Sequence, residues 1–289
     1  VLSSGSLANF RQGLSRTTTI EGCARGSRGE KAWEADVLKR IAGRAFARPG
    51  VDGPFVHMTE RLAVAILSGA LPVGALVPNE EGPDGEGAAS RTAYREAMRF
   101  LAGKGLIEAR QRAGTRVAPR EAWHMLDPDV LRWSLSVKPD EGFIRDLFEL
   151  RIMIEPGASR QAALRHGPEQ LAEIRLALEG MERETPYTDA NFACDLAFHQ
   201  AIFHASGNEA LKALVGVVST TLHWSLRTQS RRDPQDFIQP LADHRRLLEA
   251  IERRDGDGAA TLTRILVADA LRATLGALEG LTPNPVELA

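Results

Sequence analysis

From Asp140 to Gly280 apolar residues recur with the 3.6-residue period of an α-helix, interrupted only by short punctuation at Gly167-Pro168, Thr185-Pro186, Gly207, Asp233-Pro234 and Asp255-Gly256. Nothing else in the chain restricts the fold so strongly. The spacing predicts helices over Asp140 to His166, Pro168 to Glu184, Thr188 to Ser206, Asn208 to Gln229, Pro234 to Arg253 and Asp257 to Leu278. The first should be interrupted at Glu155-Pro156, because proline has no N–H and its ring crowds the preceding turn. Helices joined by connections this short form an antiparallel bundle.

The stretch upstream has a different pattern. MTERLAVAILS, from Met58 to Ser68, reads as an amphipathic helix that Gly69 ends and Pro72 keeps from continuing. A second helix is expected from Ser90, its N-cap, to about Gly103, with Ala93, Ala97, Phe100 and Leu101 on the core side and Arg91, Arg95 and Arg99 at i, i+4 and i+8 on the other. LIEAR and TRVAP then alternate like two short strands joined through Arg112-Ala113-Gly114. Helix, turn, helix and two-stranded wing make the winged-helix outline. Between Ser90 and Arg120 eight Lys or Arg face two acids, a local net of +6 in a chain of net charge −2. That asymmetry suits a surface for phosphate. The weak point is VPNEEGPDGEGAA, where Gly82, Pro83, Gly85 and Gly87 occupy the place of the first helix of a helix-turn-helix.

At 289 residues the chain has room for two domains. Residues 1–53 read as a poorly ordered extension, either an artefact of an upstream start or a basic arm diluted by Glu21, Glu30, Glu34 and Asp36. Residues 54–120 form the winged helix, 121–139 an apolar connector packing between domains, 140–280 the helical domain and 281–289 a tail. Two cysteines, Cys23 and Cys194, argue against a disulfide framework or a Cys-based zinc site, and Cys194 reads as a small buried helix residue. No apolar run approaches the roughly 20 residues of a membrane span, and no hydrophobic signal core opens the chain. A cytoplasmic protein is expected. No G-x-S-x-G, Walker loop, strand-linked GxGxxG or HExxH occurs, so no catalytic constellation is visible.

Polar residues on core faces of the bundle carry the remaining signal. Asp195 and His199 lie one helical turn apart among Phe192, Leu196 and Phe203. Such a pair is either a hydrogen-bonded structural couple or the helical half of a metal site. His244 can add a third donor from a facing helix or lie on that helix's surface. Arg151, in LFELRIMIEP, needs an anion, which is either Glu155 one turn on or the carboxylate of a ligand. His57, His124, His166, His204 and His223 read as structural.

With both halves in view, the chain resembles GntR-type bacterial transcription regulators of the FadR-like branch, whose C-terminal helical part is the FCD ligand-binding domain. The resemblance covers about Pro54 to Leu278 and rests on AILSGALPVG, SRTAYREAMRFLAGKGLIEARQRAGTRVAPR, ELRIMIEPGASRQAA, CDLAFHQAIFHASGN and DHRRLLEAIERRDGDGAA. The connector REAWHMLDPDVLRW is similar to that of galactonate-operon and other sugar-acid regulators. The resemblance implies a homodimer whose recognition helices read a palindromic operator, under control of a small carboxylate or sugar-acid effector. It implies DNA contacts from Ser90, Arg91, Thr92, Arg95, Arg99, Arg112, Gly114 and Thr115, and effector contacts from Arg151 and Asn208. It also implies metal ligands at Asp195, His199 and His244, while the family's fourth ligand position holds Leu266. Zn, Ni and Mn all suit two His and one carboxylate.

The expectation is therefore a mainly α protein, with an N-terminal winged helix-turn-helix and a C-terminal FCD-type bundle, acting as a transcriptional repressor and not as an enzyme. Two alternatives stay open. One is a metal-dependent helical enzyme acting on a small organic acid. The other is a degenerate regulator whose Gly/Pro-rich segment has weakened DNA binding.

Overall fold

The structure is a computed structural model that describes residues 53–78, 91–110, 114–137, 140–230 and 233–279. The expectations for the N-terminal extension, the 79–90 segment with its Gly/Pro-rich run and Ser90, Arg112 and the C-terminal tail lie outside those residues. The chain divides into two compact units, whose described parts are 53–137 and 140–279.

In the N-terminal unit α1 spans Pro54–Leu67. It starts earlier than the apolar period suggests because Pro54, at the first helical positions, has its φ already set for a helix. Phe55 then packs edge-on against Phe100, ring centroids 5.9 Å apart. The helix ends where Gly69 takes a φ of +77°. Met58, Leu62, Ala63 and Ile66 of α1 share one core with Ala97 and Leu101 of α2 (Arg91–Gly103). Strand β1 (Ile107–Arg110) pairs antiparallel with β2 (Gly114–Val117) in the register Ile107↔Val117 and Arg110↔Gly114. Ahead of α2 in sequence, Leu76 bridges to Arg116, and the Val77 N–H donates to the Thr115 carbonyl at 2.8 Å. The wing is thereby tied to the segment that follows α1.

Within the N-terminal unit the apolar connector forms helix α3 (Pro128–Ser136), which places Val130 and Trp133 in that unit's core, with Trp133 edge-on to Phe100 at 6.3 Å. Large apolar side chains are buried against the nearest available core, and here α1 and α2 supply it.

The second unit is helical throughout its regular structure: α4 (Glu141–Arg165), α5 (Pro168–Arg183), α6 (Asp189–Ala205), the short α7 (Glu209–Ala213), α8 (Val215–Thr228), α9 (Ile238–Glu252) and α10 (Gly256–Glu279). Three helices differ from the sequence reading: α9 begins at Ile238, after a 3-10 turn over Pro234–Phe237 in place of the expected first α-helical turn. α4 runs unbroken through Pro156. An interior proline costs about 3 kcal/mol, but α4 buries Ile144 and Phe148 before it and Ala158 and Ala162 after it, so packing on both sides holds one axis. The helix expected over Asn208 to Gln229 is split at Leu214, which ends α7 and opens α8. α6 is the centre of the bundle. Residues 194–203 are all buried, so the helix is enclosed around its whole circumference, and any polar residue on it must find a partner inside the protein.

Candidate functional site

Asp195 and His199 lie on one face of α6, and α9 brings His244 to the same place. Asp195 Oδ1 is 3.5 Å from His199 Nε2 and 3.8 Å from His244 Nε2, with all three residues buried. One donor atom from each lies within 4.8 Å of the other two. His244 Nδ1 sits 2.7 Å from the Pro240 carbonyl, so this nitrogen carries the proton and leaves Nε2 as a lone pair aimed at the cluster. Burial pushes the His244 pKa down, which keeps the ring neutral and able to ligate. Asp195 Oδ1 and His244 Nε2 are buried with no hydrogen-bond partner. Two orphaned lone-pair atoms converging in this way are costly in an apolar interior and are what a bound cation would satisfy. The donor set fits a divalent metal.

Behind the cluster, α4 contributes Glu155 and Arg151. Glu155 Oε1 accepts from Arg151 Nε at 2.5 Å, and its Oε2 lies 3.0 Å from His199 Nδ1. Burial raises the Glu155 pKa, but the Arg151 charge and the neighbouring His199 outweigh it and hold the carboxyl at about 2. The carboxylate therefore stays ionised. Its position favours a proton on His199 Nδ1 and turns Nε2 toward Asp195, the arrangement by which a second carboxylate orients a ligating histidine. Of the two partners read for Arg151, the structure shows Glu155. Its Nε is paired with Glu155 and its guanidinium carbon lies 4.8 Å from the centre of the Phe148 ring, yet Nη1 is buried without a hydrogen-bond partner.

Arg151 and the three donors line a cavity of about 410 Å³, together with Leu222, Leu226 and Phe237. Leu266, at the position where the resemblance implied a fourth ligand, is an apolar part of the wall. Several polar residues of the wall escaped the sequence reading, among them Asp236, Gln239, Asp243, Asp269 and Arg272. Ser225 of α8 and Gln229, which caps its C-terminus, also line the cavity, and Gln229 Nε2 lies 3.1 Å from Ser225 Oγ and 3.2 Å from Thr274 Oγ1. The available signal was the unusual concentration of Ser and Thr in STTLHWSLRT, on a helix otherwise suited to the core. Asn208 is not among the cavity residues; its Oδ1 caps α7 by accepting from the backbone of Ala210 and Leu211. His166 Nε2 lies 3.2 Å from the Ile251 carbonyl, and Cys194 is buried in the bundle core. His223, pushed down to about 4 by burial and then by the Arg227 charge, lies outside the cavity wall.

In the N-terminal unit Thr92, Arg95 and Arg99 are exposed along one side of α2, opposite buried Ala93, Ala97 and Leu101. Arg91 opens that helix. Gly114 starts β2 at a φ of +77°, where an added Cβ would also come 2.8 Å from Leu76 Cδ1, and Thr115 follows it. Arg116 donates to the Gly74 carbonyl at 2.7 Å, which commits it to holding the wing.

Residues 56–117 match the bacterial regulatory proteins of the gntR family, and residues 146–269 match the FCD domain. The galactonate operon transcriptional repressor of Escherichia coli (strain K12) is 31% identical over 221 residues, covering 75% of this chain and 96% of that protein. The chain belongs to the GntR family. Another relative, the Uxu operon transcriptional regulator of Escherichia coli (strain K12), is 29% identical over 180 residues, covering 59% of this chain and 66% of that protein. The solved structure of Lar from Listeria monocytogenes agrees in fold alone, at 16% identity and a TM-score of 0.53 over 76% of this chain and 96% of that one. This GntR-family chain is a transcriptional regulator of the GntR/FCD type, which sets aside the metal-dependent enzyme.

Proposed function

We propose that the protein is an effector-responsive repressor of an operon for the catabolism of a sugar acid or related small carboxylate, working as a homodimer on operator DNA in the cytoplasm. The observation that carries this reading is the cavity itself, which sets the unpaired Nη1 of buried Arg151 and three converging donors beside the hydroxyl and amide of Ser225 and Gln229. A guanidinium fork suits a carboxylate, and hydroxyl and amide groups suit the hydroxyls of a sugar acid. Asp195, His199 and His244 would hold Zn, Ni or Mn. When bound, the cation supplies positive charge and open positions for ligand oxygen. On α2 Arg91, Thr92 and Arg95 would meet base edges and Arg99 a phosphate, with Ser90 at the helix start and Arg112, Gly114 and Thr115 at the wing. The relation to a galactonate operon repressor supports the ligand class.

A mobility shift on the DNA upstream of its own gene tests the reading. Retardation should appear without ligand, diminish with galactonate or another sugar acid, and weaken in Arg95→Ala. No retardation under any condition, or retardation indifferent to Arg95→Ala, would sink it.

A further inference from the structure

We propose that Tyr187 and Phe237 form an aromatic plate that reads the carbon chain of the effector, selecting a long polyhydroxy acid over a short hydroxy acid. This rests on the reading of the cavity as an effector site. Backbone strain points to the plate. Among the described residues two that are not glycine take the left-handed conformation, Tyr187 with a φ of +60° and Arg254 with a φ of +58°. Bulky side chains are disfavoured there and persist only where surrounding contacts hold them, most often at ligand sites and switch regions. Arg254 uses its position to donate to the carbonyls of Leu164 and His166, at 3.2 and 3.1 Å, around the end of α4. Tyr187 instead becomes part of the cavity wall.

Tyr187 lies between α5 and α6, and Phe237 in the 3-10 turn before α9. Their rings meet edge-on with centroids 5.6 Å apart, and Tyr187 also packs against the apolar cluster that holds Leu222 and Leu226. All four residues line the cavity, so its wall has an apolar part beside the polar one made by Arg151, Ser225 and Gln229. An open-chain sugar acid has the same double character. Its carboxylate and hydroxyls take hydrogen bonds, while its C–H groups take apolar contact. With the carboxylate at Arg151, two-carbon glycolate would fill only a small part of about 410 Å³, whereas six-carbon galactonate has chain left to lie against the rings. Gly or Asn would adopt the backbone of position 187 with less strain. What neither can supply is the ring.

The test compares galactonate and glycolate on the full chain by titration calorimetry, with glycolate measured in competition against galactonate. The readout is the ratio of the two affinities, because a purely structural role for the rings would weaken both acids alike. Tyr187→Asn, whose side chain tolerates the left-handed backbone, should lower the ratio about ten-fold, the scale set by lost apolar contact in a pocket. Tyr187→Phe, which keeps the ring, should retain most of it. Should Tyr187→Asn not fold, Phe237→Leu keeps an apolar side chain, removes the other ring and should lower the ratio in the same direction. Galactonate binding to the wild type with a ratio that neither ring-removing variant moves would overturn this inference alone and leave the effector reading in place. Binding of neither acid to the wild type would overturn both.

Discussion

At the scale of single residues Glu155 does the most for the site without facing a ligand itself. It is 1% exposed, neutralises Arg151 and sits against His199 Nδ1, so one carboxylate joins the cation on α4 to the imidazole on α6. Glu155→Gln would leave a buried guanidinium without a counter-charge, at a cost of roughly 3 kcal/mol read as a lower denaturation midpoint. The same variant should bind metal about 10-fold more weakly by calorimetry, since His199 loses the group that orients it. Leu266 makes the converse case. Leu266→His should raise the affinity for Zn²⁺ at least about ten-fold, because a fourth imidazole would close the coordination sphere. The sequence revealed the i, i+4 spacing of Asp195 with His199 and of Arg151 with Glu155, because each pair lies within one helix. It did not reveal that Glu155 is shared between Arg151 and His199, a contact between two helices with no local pattern.

At the scale of elements, the wing and the connector show how short pieces hold a binding surface. Gly105, with a φ of +73°, separates α2 from β1, and a Cβ there would run into the Ala122 carbonyl. Gly105→Ala should therefore destabilise the N-terminal unit by about 2 kcal/mol or more, seen as a lower thermal midpoint. Lys104 pins the same turn to the start of α3 through Asp127 at 2.7 Å and Asp129 at 2.9 Å. Burial lowers its pKa, but the two carboxylates more than offset this, so the net shift is upward from 10.5. A raised lysine pKa contributes stability at any pH below the unfolded value and loses it as pH climbs through the folded one. The stability difference between the wild type and Lys104→Met, about 1 kcal/mol, should hold from pH 7 to pH 9 and shrink above about pH 10.5. Denaturant melts across that range measure it. The elements themselves were largely legible, because helix periods and Gly/Pro breaks are local. Pro156 and Leu214 were exceptions: at Pro156 the local rule favours a break and burial on both sides overrides it, whereas the split at Leu214 carries no Gly or Pro signal.

For the whole molecule, the repressor reading makes a prediction about salt. If Arg99 meets a phosphate in each copy of a dimer, Arg99→Ala removes two such contacts, and the slope of log affinity against log salt should become shallower by about 2. Mobility shifts at several salt concentrations give that slope. A change near 1 would point to one engaged copy. An unchanged slope would take Arg99 out of the interface.

The sequence by itself determined the succession of helices in the bundle, the amphipathic first helix, the arginine face opposite Ala93, Ala97 and Leu101, and the two strands of the wing. Each of these is a repeat or a break within a few residues, so the backbone geometry of a helix or strand turns it directly into a shared face. Only the tertiary structure decided that α3 belongs to the N-terminal core and that His244 of α9 meets Asp195 and His199 of α6. It also decided that Arg151 keeps a nitrogen unpaired on a cavity closed by Leu266. These features depend on the axes along which helices pack, which follow from the fit of many side chains at once and leave no period in the chain.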